Sequence, residues 1–240
     1  MTRGLIRSLV EGDGGYTVIN ADKLRSALCV ALRSHVFSRL GGELAADDDN
    51  TFNILFKHHD QFQRKSSRIF SAEHVRPIIR AASDVLADIG IVEAFEVTDE
   101  EAVGYPNVYF RAVRARASTD VGPMHKDKWF WDLGHGSIHD GKTRVKLWIP
   151  ILQHDAVSGL KIVPGSHRVN FEYSSRREDG TGKMKPVFDQ SVVEQRIISA
   201  PVRVGEAIIF HDELLHGGIS TDHPRISVEL TLLYARGITI

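Results

Sequence analysis

Arg225-Ile226-Ser227-Val228-Glu229-Leu230-Thr231-Leu232 alternates polar and apolar residues without a break. Successive side chains of a β-strand point to opposite faces, so this stretch reads as a strand with two unlike sides. Ile226, Val228, Leu230 and Leu232 call for an apolar layer. Arg225, Ser227, Glu229 and Thr231 call for partners, because buried polar groups without hydrogen bonds are costly. Water over one face of an edge strand would satisfy them. So would the interior of a β-roll lined for a ligand.

The residues just upstream favour the second reading. Thr221-Asp222-His223-Pro224 reads as a turn, and His216 precedes it in Leu214-Leu215-His216-Gly217-Gly218. If Ser220 pairs near Arg225, His216 shares the inward face of Arg225 and Ser227. A guanidinium there suits a bidentate grip on a carboxylate. Much earlier comes Val121-Gly122-Pro123-Met124-His125-Lys126-Asp127-Lys128-Trp129-Phe130-Trp131. Read as a strand, it projects His125 and Asp127 side by side. By spacing alone, H-x-D also fits a hydrogen-bonded surface pair. Joined by His216 it becomes two histidines and a carboxylate, the ligand set of non-haem Fe(II) oxygenases.

Composition narrows the classes. The 240 residues are 42% hydrophobic and 25% charged with a formal net charge of -1, enough chain for one large or two small domains. Near-neutral charge argues against nucleic-acid or membrane-surface binding. No stretch reads as a membrane span, and Met1 to Val10 does not read as a signal peptide. Cys29 is the only cysteine, which rules out an intrachain disulfide and makes a cytoplasmic setting the expectation.

Along the chain, residues 1–19 form a weak leading segment. Helical spacing follows from Asn20 to Gly41, over Phe52 to Phe62, and from the Ser71 cap to Gly90. The period then turns to alternation. Strands are predicted at 91–97, 106–116, 122–127, 143–151, 159–163, 201–204, 206–211, 213–219 and 225–234. We therefore expect a single domain over 1–240, mainly β with flanking helices. Residues 1–104 would be mostly helical support and 105–240 a double-stranded β-helix (jelly roll, cupin-like), with the helices on the outer face of one sheet. The polar loop from Arg168 to Lys185 fits either a mobile lid, whose Arg176, Arg177, Lys183 and Lys185 would suit an anionic substrate, or a merely solvated charged loop. His135, His139, His154, His211 and His223 have no partner spacing that marks them as ligands.

Taken in order, His125-x-Asp127, Trp148 in Lys146-Leu147-Trp148-Ile149-Pro150, the run from Ser158 to Val163 with Pro164-Gly165-Ser166-His167, then His216 and Arg225-x-Ser227 resemble the phytanoyl-CoA dioxygenase family of Fe(II)- and 2-oxoglutarate-dependent oxygenases. The resemblance spans about residues 106–234. It implies iron held by His125, Asp127 and His216, and 2-oxoglutarate chelating it. The far carboxylate would meet Arg225 and Ser227, with Trp148 lining the co-substrate pocket and Lys146 assisting. Dioxygen would complete the reaction, releasing succinate and carbon dioxide while a small molecule is hydroxylated. One or two of Trp129, Phe130 and Trp131 would wall the substrate pocket, Trp131 resembling a substrate-contact position, or else they would pack the mouth of the roll. His167 would serve the turn rather than the iron. A cupin-like metal-dependent isomerase or epimerase, and a non-catalytic jelly-roll binding protein, are the alternatives. Substrate identity and oligomeric state are not legible.

Overall fold

The computed structural model describes residues 12–41, 47–91, 95–99, 105–136, 141–154, 157–178 and 182–235. Its elements run β1 (Tyr16–Asn20), α1 (Asp22–Leu40), α2 (Asp48–Lys57), α3 (Ala72–Asp88), β2 (Phe95–Thr98), β3 (Tyr109–Val113), α4 (Asp127–Asp132), β4 (Lys142–Leu152), β5 (Leu160–Ile162), β6 (Ser174–Arg177), β7 (Met184–Val187), β8 (Ile198–Ser199), β9 (Glu206–His211), β10 (His216–Gly218) and β11 (Arg225–Ala235).

Two sheets face each other. The larger runs β1-β9-β4-β11-β2, with β3 also paired to β11. The smaller runs β10-β5-β8, and a bridge from His125 to His216 adds the segment before α4 to its edge. Strands β3, β11, β4 and β9 against His125, β10, β5 and β8 make the four-over-four arrangement of a double-stranded β-helix.

Alternation along the long strands sorts the core. Val145, Leu147, Ile149 and Ile151 of β4 and Ile226, Val228, Leu230 and Leu232 of β11 face outward. There they join Leu24, Leu28 and Leu32 of α1 and Val75, Ile78 and Leu86 of α3 in one buried cluster. Each such side chain contributes about 1.5–3 kcal/mol of burial energy. The inward face packs Trp148, Ile208 and Phe210 against Leu160, Ile162 and Leu214 of the opposite wall. The helices are well ended. Asp47 accepts from the Asn50 amide at 2.8 Å and caps α2, whose first turn carries Asp48 and Asp49. Gly41, at φ 64°, closes α1.

Several expectations change. The 122–127 strand is reduced to the bridge at His125, and α4 begins at Asp127. Residues 201–204 form no strand; the chain is paired instead at Ile198 and Ser199. Strands β10 and β11 are not a hairpin: β10 pairs β5, whereas β11 pairs β4, β3 and β2, so the turn at 221–224 crosses between sheets. The leading segment supplies β1, paired along β9, and β2 also lies before residue 105, so the first part of the chain is not helical support alone. The basic loop folds as the hairpin β6–β7. His139 and residues 92–94 of the first predicted strand lie outside the described residues.

Candidate metal centre

Backbone pairing brings the two histidines together. The His125 amide donates to the His216 carbonyl at 2.8 Å, and the His216 amide returns the bond at 2.9 Å. The ring centroids are 4.4 Å apart. Nδ1 of His125 lies 2.8 Å from the Pro123 carbonyl and Nδ1 of His216 2.9 Å from that of Leu214. A carbonyl only accepts, so each Nδ1 carries the proton and each Nε2 keeps a free lone pair. Ser166, in the Pro-Gly-Ser-His run, steadies this pairing: its Oγ accepts from the Leu215 amide at 2.8 Å.

Asp127 arrives by another route. It is the first residue of α4, where a carboxylate complements the helix's positive end. Its amide donates to the Asp212 carbonyl at 3.1 Å. Its Oδ1 lies 3.6 Å from Nε2 of His125 and 3.8 Å from Nε2 of His216. The three ligand atoms fall within 4.8 Å of one another, the one such group among the described residues. Asp127 is 5% exposed and His216 4%. Oδ2 of Asp127 has no hydrogen-bond partner. Two neutral Nε2 lone pairs and a carboxylate oxygen converging in a buried spot fit a divalent transition metal.

Electrostatics prepare Asp127 and His216 as ligands, whereas His125 would give up a proton on binding a metal. Burial would raise the Asp127 pKa, but Lys146 and the two imidazoles hold it well below the usual carboxylate range. Burial lowers His216, which keeps it a neutral ligand. Burial works to lower His125 too, yet its contacts with Asp127 leave it raised.

Lys146, 1% exposed, lies beneath Asp127. Its Nζ is 3.6 Å from Oδ2 of Asp127, 2.5 Å from Oε1 of Glu229 and 3.0 Å from Oγ1 of Thr231. The polar face of β11 is therefore satisfied at one end by an internal ion-pair network. At its other end lies Arg225, 5% exposed. Nη1 of Arg225 donates to Ser227 Oγ at 3.1 Å, while Nε is buried without a partner. Burial, aided by the charge of Arg111, pulls its pKa down to about 10. No carboxylate among the described residues pairs with it. Gly159, at φ 81°, makes room: a Cβ there would lie 2.2 Å from Cδ and Nε of Arg225. Trp148, opposite Glu229 in register, lines the roll interior. A cavity of ≈ 50 Å³ borders Glu229 and Thr231, whereas one of ≈ 470 Å³ lined by Arg25, Asp48, Phe52 and Ile151 contains none of these residues.

The aromatic run sorts by helical rather than strand spacing. On a helix, residues three and four past Asp127 share its face and the residue two past does not. Phe130 accordingly meets His125 edge-on, ring centroids 5.1 Å apart. Trp131 lies beneath the Arg144 guanidinium on the same side, its buried Nε1 without a hydrogen-bond partner. Trp129 points away. It stacks on Tyr173 and packs at a tilt against Phe188 under the β6–β7 hairpin, among Met124, Val163 and Leu215. This corrects the expected pocket role of Trp129. The sequence offered Phe130 only as one of three adjacent aromatics and Ser166 only as part of a family motif; a helical reading of 127–132 would have singled out Phe130.

A family model described as phytanoyl-CoA dioxygenase (PhyH) matches residues 15–227. No curated protein sequence matches significantly. Among solved structures, EvdO2 from Micromonospora carbonacea var. aurantiaca, complexed with 2-oxoglutarate, is similar at a TM-score of 0.53 and 16% identity, over 97% of this chain and 91% of that one. The non-heme monooxygenase ThoJ is similar at 0.54 and 13%, over 97% and 80%. AviO1 from Streptomyces viridochromogenes Tue57 is similar at 0.50 and 14%, over 96% and 94%. At such identities these likenesses speak for the fold. The matched family, together with the two-histidine, one-carboxylate site, makes the protein an enzyme of the Fe(II)- and 2-oxoglutarate-dependent oxygenase type. With nearly the whole described chain inside the matched range, this protein belongs to the phytanoyl-CoA dioxygenase family.

Proposed function

We propose that the enzyme hydroxylates a small molecule, with iron held by His125, Asp127 and His216 and 2-oxoglutarate as co-substrate. One observation carries the reading: a buried guanidinium, that of Arg225, has no carboxylate partner among the described residues and lies on the sheet face that also carries the Lys146–Asp127 contact. A buried charge of this kind is costly until an anion meets it. The far carboxylate of a 2-oxo diacid answers Arg225 and Ser227, and its 2-oxo acid end then points toward the three ligands.

Bound there, iron(II) and 2-oxoglutarate would supply dioxygen activation coupled to loss of carbon dioxide and formation of succinate. The chain's own work is positional. Nδ1–H bonds to Pro123 and Leu214 hold both imidazoles with Nε2 forward. Lys146 engages Oδ2 of Asp127 and leaves Oδ1 for the metal. Trp148 and Phe210 exclude water from the roll interior, and Phe130 shields one side of His125. The intact carboxylate favours hydroxylation over halogenation, which needs a vacant ligand position. A reducing cytoplasmic setting suits both an Fe(II) site and buried Cys29, whose thiol burial pushes up to about 11.

Succinate release across metabolite pools, with Asp127→Ala protein as the blank, tests the reading. Succinate formed with 2-oxoglutarate, Fe(II) and one pool, and absent from the blank, is the expected outcome. Turnover without 2-oxoglutarate would instead favour the isomerase or epimerase alternative.

A further inference from the structure

Arg225 is not alone. Arg111 of β3 lies opposite Ser227 in register, so it shares the inward face and is a diagonal neighbour of Arg225. Beside β3, Ile69 bridges Tyr109 and the Phe110 amide donates to the Arg68 carbonyl at 3.2 Å, which puts Arg68 against the same strand. Nε of Arg68 is buried without a hydrogen-bond partner. Burial first, then the charge of Arg111, lowers the pKa of both Arg68 and Arg225.

Neighbouring cations on this side of the sheet are matched. Lys146 meets Asp127 and Glu229, Lys65 meets Asp99, Arg144 approaches Asp212 and Lys142 meets Glu96. Among the described residues no carboxylate reaches ion-pair distance of Arg68, Arg111 or Arg225. Arg111 feels the charge of Arg68 on one side and of Arg225 on the other, and like charges in a partly buried place repel one another. The far carboxylate of the co-substrate matches one of them. Two guanidinium charges are left over.

We propose that Arg68 and Arg111 form a second oxyanion site, next to the one at Arg225, that holds a carboxylate or phosphate group of the substrate. The proposal rests on the oxygenase reading and gives its substrate a chemical class, an anionic small molecule. It also moves the basis for that class from the basic hairpin to the roll interior.

The test uses the full-length protein loaded with Ni(II), which does not turn over. Calorimetry first measures 2-oxoglutarate binding. The protein is then saturated with N-oxalylglycine, an inert mimic of the co-substrate, and titrated with inorganic phosphate or with acetate. One saturable anion site is expected, weakened about tenfold or more in Arg111→Gln and in Arg68→Gln. Affinity for 2-oxoglutarate should be unchanged in both variants and fall in Arg225→Gln. Arg111→Lys, which keeps the charge, should recover part of the anion binding. Tighter phosphate than acetate assigns a phosphoryl group, and the reverse assigns a carboxylate. Three outcomes overturn the proposal: no saturable anion binding, anion binding unchanged in both Gln variants, or a loss of 2-oxoglutarate affinity in Arg111→Gln as large as in Arg225→Gln. If Arg111→Gln does not fold, Arg68→Gln decides alone. Failure of the wild-type Ni(II) protein to bind 2-oxoglutarate would sink the oxygenase reading rather than the anion site.

Discussion

Lys146 couples the sheet to the metal ligands, and its replacement separates metal affinity from fold. Groups that orient a ligand from behind are worth about 10–100-fold in metal affinity. Lys146→Met should lose about that much for Co(II), read by competition with a chelating dye, while circular dichroism stays native. Unchanged affinity would mean that Asp127 needs no cation beneath it. Arg225→Ala should weaken 2-oxoglutarate about 30-fold or more, as expected for a desolvated charge pair, and leave Co(II) affinity alone. At the acidic edge, hydrogen bonds from Arg114 hold Asp120 at about 2. A carboxyl lowered on folding stabilises the native state above its unfolded value of about 3.9 and loses that contribution as pH falls through the folded value. Asp120→Asn should therefore flatten the drop in thermal midpoint between pH 4 and 2. His125, Asp127, His216 and Arg225 were legible because their chemistry is unusual and their order along the chain is informative. The partners of Lys146 and the approach of Arg111 were not, because both follow from cross-strand register, which no local pattern encodes.

Element α4 shows why local period matters. An H-x-D spacing suits a strand, and reading it so puts Trp129 and Trp131 on the metal's side. The chain instead turns helical at Asp127, whose carboxylate complements the helix start while Asp212 receives its amide. The ligands still converge, since His125 ends an extended segment and Asp127 begins a helix. Trp129 and Phe130, however, exchange sides, while Trp131 stays on that of Asp127. Trp129→Ala should cost about 3–5 kcal/mol of stability by opening a cavity under the hairpin, with Co(II) affinity unchanged. Phe130→Ala should cost less stability and alter the Co(II) spectrum, because Phe130 packs on His125. The reverse pattern would restore the strand assignment. Strand β10 shows a second limit: the turn at 221–224 was visible, but not that it links two sheets. Both routes leave Arg225 inward, because the alternation along β11 fixes its face whatever precedes it.

At the scale of the molecule, the helical layer and the outer face of the large sheet share one apolar cluster. We expect the chain to unfold as one cooperative unit, with calorimetric and van't Hoff enthalpies equal. A fragment starting at residue 105 would lose β1 and β2 and uncover Leu147, Ile149, Leu230 and Leu232, so it should not fold as a monomer. The helices-then-strands order was plain from the change of period near residue 91. The contribution of β1 was not, because a five-residue strand whose pairing partner lies nearly two hundred residues away carries little pattern of its own.

Anaerobic addition of Fe(II) and 2-oxoglutarate, followed by visible absorption, tests the central claim most directly. The expected result is the weak metal-to-ligand charge-transfer band of a chelated 2-oxo acid in the wild type, absent in His216→Ala and in Asp127→Ala, and reached only at higher 2-oxoglutarate in Arg225→Ala. A band of equal strength in His216→Ala, or none in the wild type, would contradict it.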